Sequence, residues 1–426
     1  MRIRTISPFL LFLPFLIFYV VIILVFHNNQ LADDEIRYLG FAGKLTHGFY
    51  SAPPPNVFIP NGPGYPIILM PLVALHAPVI LIVLTNALFY YLSVVFLFKA
   101  LLRISSFKVA LISGFFWACY YNSYQDMLFA FTETFTCLNV SLIIYFLVNA
   151  FDNSNGEKKG KYTVLSGISI GYLVLTKIVF GYVLLCMLIV GGILWMLKRT
   201  SPNYKKNLVV LAISFATILP YLVYTYYLTG RLFYLGNPGA DSLYWMSTPY
   251  AEEYGDWQSF PRVPGPDIYR VHDSEDSLAA NHKKDFENVY RFQGTKQDDA
   301  FRKIALENIK SHPLKFIENC VSNLGRMLFS FPNSYTKQNN KTLFRLPLNG
   351  IIAVLSIYCF IPTLLNWRNI KFPIRFLLFF ALIYLGGSTL VSGLTRMFTI
   401  IAPVFIVWIA FIFQKTVAIN LKFSKD

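Results

Sequence analysis

The chain has 426 residues, of which 55% are hydrophobic, 17% aromatic and only 14% charged, and its formal net charge is +15. A soluble domain carries more surface charge than this, and several stretches reach the roughly 20 apolar residues that a helix needs to cross a bilayer. The chain therefore reads as an all-α polytopic membrane protein. Its basic excess sits mostly in short loops between apolar segments, where cytoplasmic Lys and Arg collect, so nucleic acid is excluded as a partner.

The first span covers about residues 8–26 and follows Arg2 and Arg4, which puts the N-terminus on the cytoplasmic side. Its apolar part is longer than a signal-peptide core and no small-residue cleavage site follows, so it is expected to stay as a helix. The next loop opens with Asp33, Asp34 and Glu35, which start a helix running to about Thr46. Tyr38, Ala42 and Leu45 give that helix one apolar face, able to lie on a membrane. The short piece 67–75, with Pro71, suits an interfacial helix rather than a crossing one.

Further spans are expected near 78–98, 109–121, 131–150, 162–176, 179–197 and 207–228, and then near 346–366, 373–390 and 397–414. With about ten spans, every Lys/Arg cluster outside the long insertion falls on one side, and Lys422 and Lys425 join them in the tail. The acidic triplet, Lys177 and Arg396 fall on the other. Residues 229–345 form a large polar insertion, expected to be helical over 298–329 and irregular over 236–297. In the helical part Phe301, Ile304, Ala305 and Ile309 make one stripe. Leu314, Ile317, Val321, Leu324 and Leu328 make a second, after His312-Pro313. The expected organisation is an N-terminal transmembrane module (1–228) with a first outer, catalytic loop (27–77), the large outer loop (229–345), and C-terminal helices with a short basic tail (346–426).

Five scattered cysteines form no CxxC pair, and His27, His47 and His76 lack zinc-ligand spacing. Asp33 suits a helix cap. Asp34 has two readings: a carboxylate paired with Arg37 or Lys44, or one put to chemical use, because an unpaired charge at a low-dielectric edge is costly. Lys177 and Arg396 also have two, as interfacial anchors that snorkel from span ends or as ligands for an anion. Glu133, at the start of an apolar span, is expensive to keep there and tends to be functional.

Six motifs in order, "DDEIRY" (33–38), "GPGYPIILMPLVAL" (62–75), "FTETFTCLNVSLIIYFL" (131–147), "GISIGYLVLTKIVFGYVLL" (167–185), "ALENIKSHPLKFI" (305–317) and "TRMFTIIAPVFIVWIAF" (395–411), cover nearly the whole chain. They resemble the GT-C glycosyltransferase superfamily, nearest to protein O-mannosyltransferases and aminoarabinose-lipid A transferases. Two departures stand out: Pro63-Gly64-Tyr65 in place of a double Pro before Tyr, and "RMF" where "RYR"-like text is common.

The resemblance implies a GT-C-type bundle with outer-face juxtamembrane helices. It implies inverting transfer of a sugar from a polyprenyl-phosphate donor to a glycan, lipid or protein acceptor on the periplasmic face of a bacterial inner membrane. Asp34 takes the place of the family's essential first-loop acid, as catalytic base. Glu35, Glu133 and Asp126 are candidates to orient the acceptor or hold Mg²⁺ or Mn²⁺. Arg37, Lys177 and Arg396 are candidates for the donor phosphate, followed by Arg326 and Arg231. The competing classes are a transporter or flippase, which would place charges near the bilayer midplane, and an envelope scaffold, which needs no aligned carboxylates. A polysaccharide polymerase is a variant of the enzyme reading. The sequon-like Asn340-Lys341-Thr342 is too short to indicate a host.

Overall fold

The computed structural model describes residues 6–28, 30–31, 33–152, 154, 156–197, 202–258, 275–335 and 341–416. Arg2, Arg4, Asn340, Lys422, Lys425 and the side chain of Asp33 lie outside the described set. Among the described residues there are helices and no strands.

All ten expected spans are helices. They are α1 (Pro8–Phe26), α4 (Val79–Leu101), α5 (Phe107–Ala118), α7 (Glu133–Ala150), α8 (Lys158–Thr176), α9 (Val179–Met196), α10 (Pro202–Thr229), α15 (Lys341–Leu365), α16 (Phe372–Val391) and α17 (Thr395–Thr416). Eight of them are long and apolar enough to cross a membrane. The other two are α5, with 12 residues, and α8, whose first turns carry Lys158, Lys159 and Lys161. The chain is a multi-pass membrane protein. Between the spans lie α2 (Asp33–Thr46), α3 (Gly64–Ala74) and α6 (Asn122–Met127). The insertion holds α11 (Pro238–Met246), α12 (Glu275–Val289), α13 (Thr295–Ser311) and α14 (Pro313–Phe329).

Helix α7 is the hub, packed by α4, α8 and α17 and buried along most of its length. A helix so enclosed needs small and polar contacts rather than a lipid-facing stripe. Ser93 of α4 and Ser141 of α7 meet at 2.8 Å, and Trp117 donates its indole N–H to the Ser93 hydroxyl at 3.0 Å. Gly167 and Gly171 let α8 lie directly on α10, since a Cβ there would fall 2.6 Å from Ile213 and 2.5 Å from Thr217. Phe180 of α9 stacks on Phe380 and Tyr384 of α16, at 5.4 and 4.3 Å between ring centres.

Three expectations change. The stretch 236–297 is not irregular throughout, because α11 and α12 lie within it. Tyr244, Trp245, Phe286 and Val289 from these helices close a small core against Phe301 and Ala305 of α13. Helix α2 does not lay its apolar face on the membrane: Tyr38, Phe41 and Ala42 are buried, and Tyr38 sets its ring edge-on to Tyr65 of α3. The second stripe of the insertion points outward. On α14, Leu314, Ile317, Val321 and Leu324 are exposed, while Asn319, Asn323 and Arg326 are buried. Asn323 donates to the carbonyl of Thr389 near the end of α16, and Thr395 at the start of α17 donates to the carbonyl of Arg326. Helix α14 is thus fastened at the level where two spans end.

Candidate active site

Four segments bring ionisable side chains together at one end of the bundle. Asp34 stands in the first turn of α2, Glu133 is the first residue of α7, Lys177 caps α8 and Arg396 is the second residue of α17. Arg396 Nη1 donates to Asp34 Oδ2 at 2.8 Å. Arg37, one turn on along α2, donates to the other oxygen of Asp34. Lys177 Nζ donates to Glu133 Oε1 at 2.7 Å, and Arg396 Nε lies 3.7 Å from the same oxygen. Arg396 therefore ties both carboxylates into one network of two acids and three cations, an excess of one positive charge.

The local sequence builds this geometry. Gly62 and Gly64 let the start of α3 lie against the end of α8, where a Cβ would meet Leu175 O at 2.0 Å or Thr176 Oγ1 at 2.6 Å. The contact fixes the backbone just before Lys177. Asn86 of α4, fully buried, donates to the carbonyls of Met127 and Phe129 and accepts from the Thr134 hydroxyl. It thereby holds the turn that presents Glu133. The Arg396 guanidinium rests over the Phe131 ring, 5.7 Å from its centre, a placement that favours a cation.

Burial pushes the Asp34 carboxyl up. Arg396 and then Arg37 outweigh it and hold the group below the ordinary carboxylate value. The anion is thus stable but a poor base while both arginines remain on it. Tyr65 is fully buried and its hydroxyl has no hydrogen-bond partner among the described residues. Nothing in the spacing of "PGYP" marks it as a group facing the site; only the fold puts it beside Tyr38.

Of the remaining candidates, Arg326 and Asp126 line one cavity together with Arg396, and Glu35 and Arg231 do not. Glu35 is fully buried and accepts the Ala130 amide at 2.7 Å, so it pins α2 to the segment before α7. Arg326 is 1% exposed and donates to the carbonyls of Pro332 and Tyr254 and to Asn323. Those bonds bind α14 to the loops around it. Arg231 pairs with Asp299 at 2.6 Å and lies over Tyr234, within the insertion. Asp126 of α6 lines a cavity of about 280 Å³ with Asn122, Gln125, Asn333, Thr399 and Arg396. This polar cavity opens on the face of Arg396.

For a divalent ion the fit is poor. Asp34 and Glu133 each already face cations, and among the described residues no three His, Cys, Asp or Glu side chains converge. Such an ion would have to displace Arg396 or Lys177.

Fold and site together define an integral membrane protein with a cation-rich ionic network at one membrane edge. No protein-family model matches the chain, and no curated protein does. Among solved structures it is similar to the S. cerevisiae protein O-mannosyltransferase complex bound to its sugar donor, at 19% identity, 57% of this chain, 37% of that chain and TM-score 0.41. It is similar to the Archaeoglobus fulgidus oligosaccharyltransferase tethered to an acceptor peptide, at 16% identity, 95% of this chain, 50% of that chain and TM-score 0.49. It is also similar to ArnT from Cupriavidus metallidurans bound to undecaprenyl phosphate, at 15% identity, 93% of this chain, 76% of that chain and TM-score 0.38. The chain spans half or less of the first two in length.

Proposed function

We propose that this protein is an inverting glycosyltransferase that moves a sugar from a polyprenyl-phosphate donor to a hydroxyl or amine acceptor on a glycan, lipid or protein. The observation that carries the reading is the network of Asp34, Glu133, Lys177, Arg37 and Arg396 at a membrane edge, one positive charge in excess and open to a polar cavity.

The charge excess suits a lipid phosphodiester, which carries one negative charge and gains a second as it leaves. Lys177 meets it as a point charge and Arg396 as a fork. Drawing Arg396 toward the phosphate removes its hydrogen bond from Asp34 and raises the basicity of that carboxylate. Asp34 then takes the acceptor proton as the acceptor atom attacks the anomeric carbon. The bond from that carbon to the phosphate oxygen breaks, its electron pair stays on the phosphate, and the cations stabilise the charge as it grows. One displacement inverts the anomeric centre. The cavity beside Arg396 has room for a sugar and amide groups to meet its hydroxyls.

Position argues against transport. The charges stand at helix ends, with Glu133 first in α7 and Arg396 second in α17, whereas carriers hold them near the midplane. The basic loops at the opposite end of the bundle support an active site on the periplasmic face of a bacterial inner membrane. In that orientation residues 27–77 form the catalytic loop and 229–345 the large outer loop.

The test is turnover by the purified protein in nanodiscs, using polyprenyl phosphates linked to different sugars. The expected result is release of polyprenyl phosphate and a product of inverted anomeric configuration. A retained configuration would overturn the single displacement.

A further inference from the structure

A second charged cavity lies at the far end of the same helices. Helix α7 runs from Glu133 in the network to Ala150, about 27 Å of helix at 1.5 Å per residue. Just past Ala150, between the ends of α4 and α7 and the starts of α10 and α16, is a cavity of about 350 Å³. Arg103, Asp152, Asn203, Lys371, Phe151 and Phe372 line it. We infer that this cavity binds a phosphate-bearing anionic headgroup, on the membrane face opposite the Asp34 network.

Charge and spare hydrogen-bonding capacity carry the inference. Arg103 Nη1 stands 3.8 Å from Asp152, beyond hydrogen-bond length, and Asp152 accepts the Ser154 amide at 3.0 Å instead. Lys371 Nζ has only a long contact, 3.4 Å, to the Arg103 carbonyl. Lys206 lies behind the aromatic wall, with Nζ 5.2 Å from the Phe151 ring centre and 2.9 Å from the Ala150 carbonyl. Two cations, Arg103 and Lys371, thus face one carboxylate in the cavity, with Lys206 outside its lining. Asn203 adds a neutral amide. Basic loops are expected on a cytoplasmic face, but that tendency does not make cations from just past α4 and just before α16 converge on a hollow.

The apolar part of the lining limits the occupant. Phe151 and Phe372 pack with ring centres 4.9 Å apart, and Val148 and Pro373 complete that side. A site with cations on one wall and aromatic rings on the other suits a phosphodiester joined to a glycerol backbone. Basic pockets between transmembrane helices on this kind of face hold such headgroups. A soluble phosphoryl compound presents the same chemistry, so the test must tell the two apart.

The full-length protein in mild detergent is given phosphatidylglycerol or phosphatidylcholine, and bound lipid is read by native mass spectrometry. The wild type should retain phosphatidylglycerol preferentially. Arg103→Gln/Lys371→Gln should lose roughly 30-fold in that preference, about five-fold for each cation. Lys108→Gln, on the same face but outside the cavity, should keep it. Inorganic phosphate or glycerol phosphate that displaces the lipid at low concentration would assign the site to a soluble phosphoryl ligand, and failure to displace assigns it to lipid. Should the double variant not fold, Lys371→Gln alone should show the five-fold loss and Arg103→Lys little. Equal retention of both lipids by the wild type with no phosphate binding, or full preference in the double variant, overturns the inference.

Discussion

Replacing Lys177 by Met separates a structural ion pair from a substrate ligand. The Glu133 side chain is 2% exposed and that of Lys177 is 22% exposed, with 2.7 Å between Nζ and Oε1. Lys177 therefore turns inward and does not snorkel. Breaking a buried pair on one side typically costs about 3–5 kcal/mol, because the other charge is left uncompensated. Here Arg396 Nε, 3.7 Å from the same oxygen, can close on Glu133, so the expected loss for Lys177→Met is near the lower end, about 3 kcal/mol. Glu133→Gln leaves Lys177 without its anion and should cost a similar amount. The double variant removes both charges and should return to within about 1 kcal/mol of the wild type. Denaturant unfolding in mixed micelles gives the four stabilities of the cycle. Costs that simply add would refute the pairing. Transfer activity tells more: a stable but inactive double variant places the Lys177–Glu133 pair in the chemistry, and an active one makes both residues structural only.

The Asp34 carboxyl is held below 3.8 by its arginines, so the stability it contributes is fully present above that value and is lost as pH falls through the lower folded value. The difference in thermal midpoint between wild type and Asp34→Asn should therefore stay constant from neutral pH to about pH 4 and shrink only below it. Asp298 behaves oppositely. Burial raises it from 3.8 to about 6 despite bonds from Tyr234 and Asn237, so the stability linked to its proton is complete below 3.8 and disappears as pH rises through about 6. Asp298→Asn, which keeps an acceptor there, should gain up to about 3 kcal/mol over wild type between pH 4 and pH 7; a flat difference would contradict this. Gly62→Ala pushes a methyl to 2.0 Å from the Leu175 carbonyl, and the shift of the loop should cost about 1–3 kcal/mol and weaken donor use. Unchanged unfolding and KM would show that the close approach is not needed.

Much of this was legible in the sequence because membrane helices must be apolar over a fixed length. The acids at 33–35 correctly marked the start of α2, and Pro71 the short α3. Asp34, Glu133, Lys177 and Arg396 could each be picked out, since a charge at the edge of an apolar run needs a reason. That Arg396 would join Asp34 to Glu133 could not be read, because it depends on how α17 packs against α7. Helices α11 and α12 escaped notice because their core rests on a few residues such as Trp245, Phe286 and Val289 rather than on a continuous stripe. On α14 the period was clear but the side was not. Next to a membrane an apolar stripe can face out, and the polar row of Asn319, Asn323 and Arg326 forms the packed side. The same ambiguity reversed the expectation for α2, where Tyr38 and Ala42 turned inward.

The most direct measurement compares wild type and Asp34→Asn for two quantities: binding of a polyprenyl-phosphate sugar and transfer of that sugar. The account predicts that the variant folds and binds the donor at least as tightly, because Arg37 and Arg396 are released toward the phosphate. Transfer should fall by at least about 100-fold, as expected for loss of a general base. A folded Asp34→Asn protein that transfers sugar at the wild-type rate would contradict it.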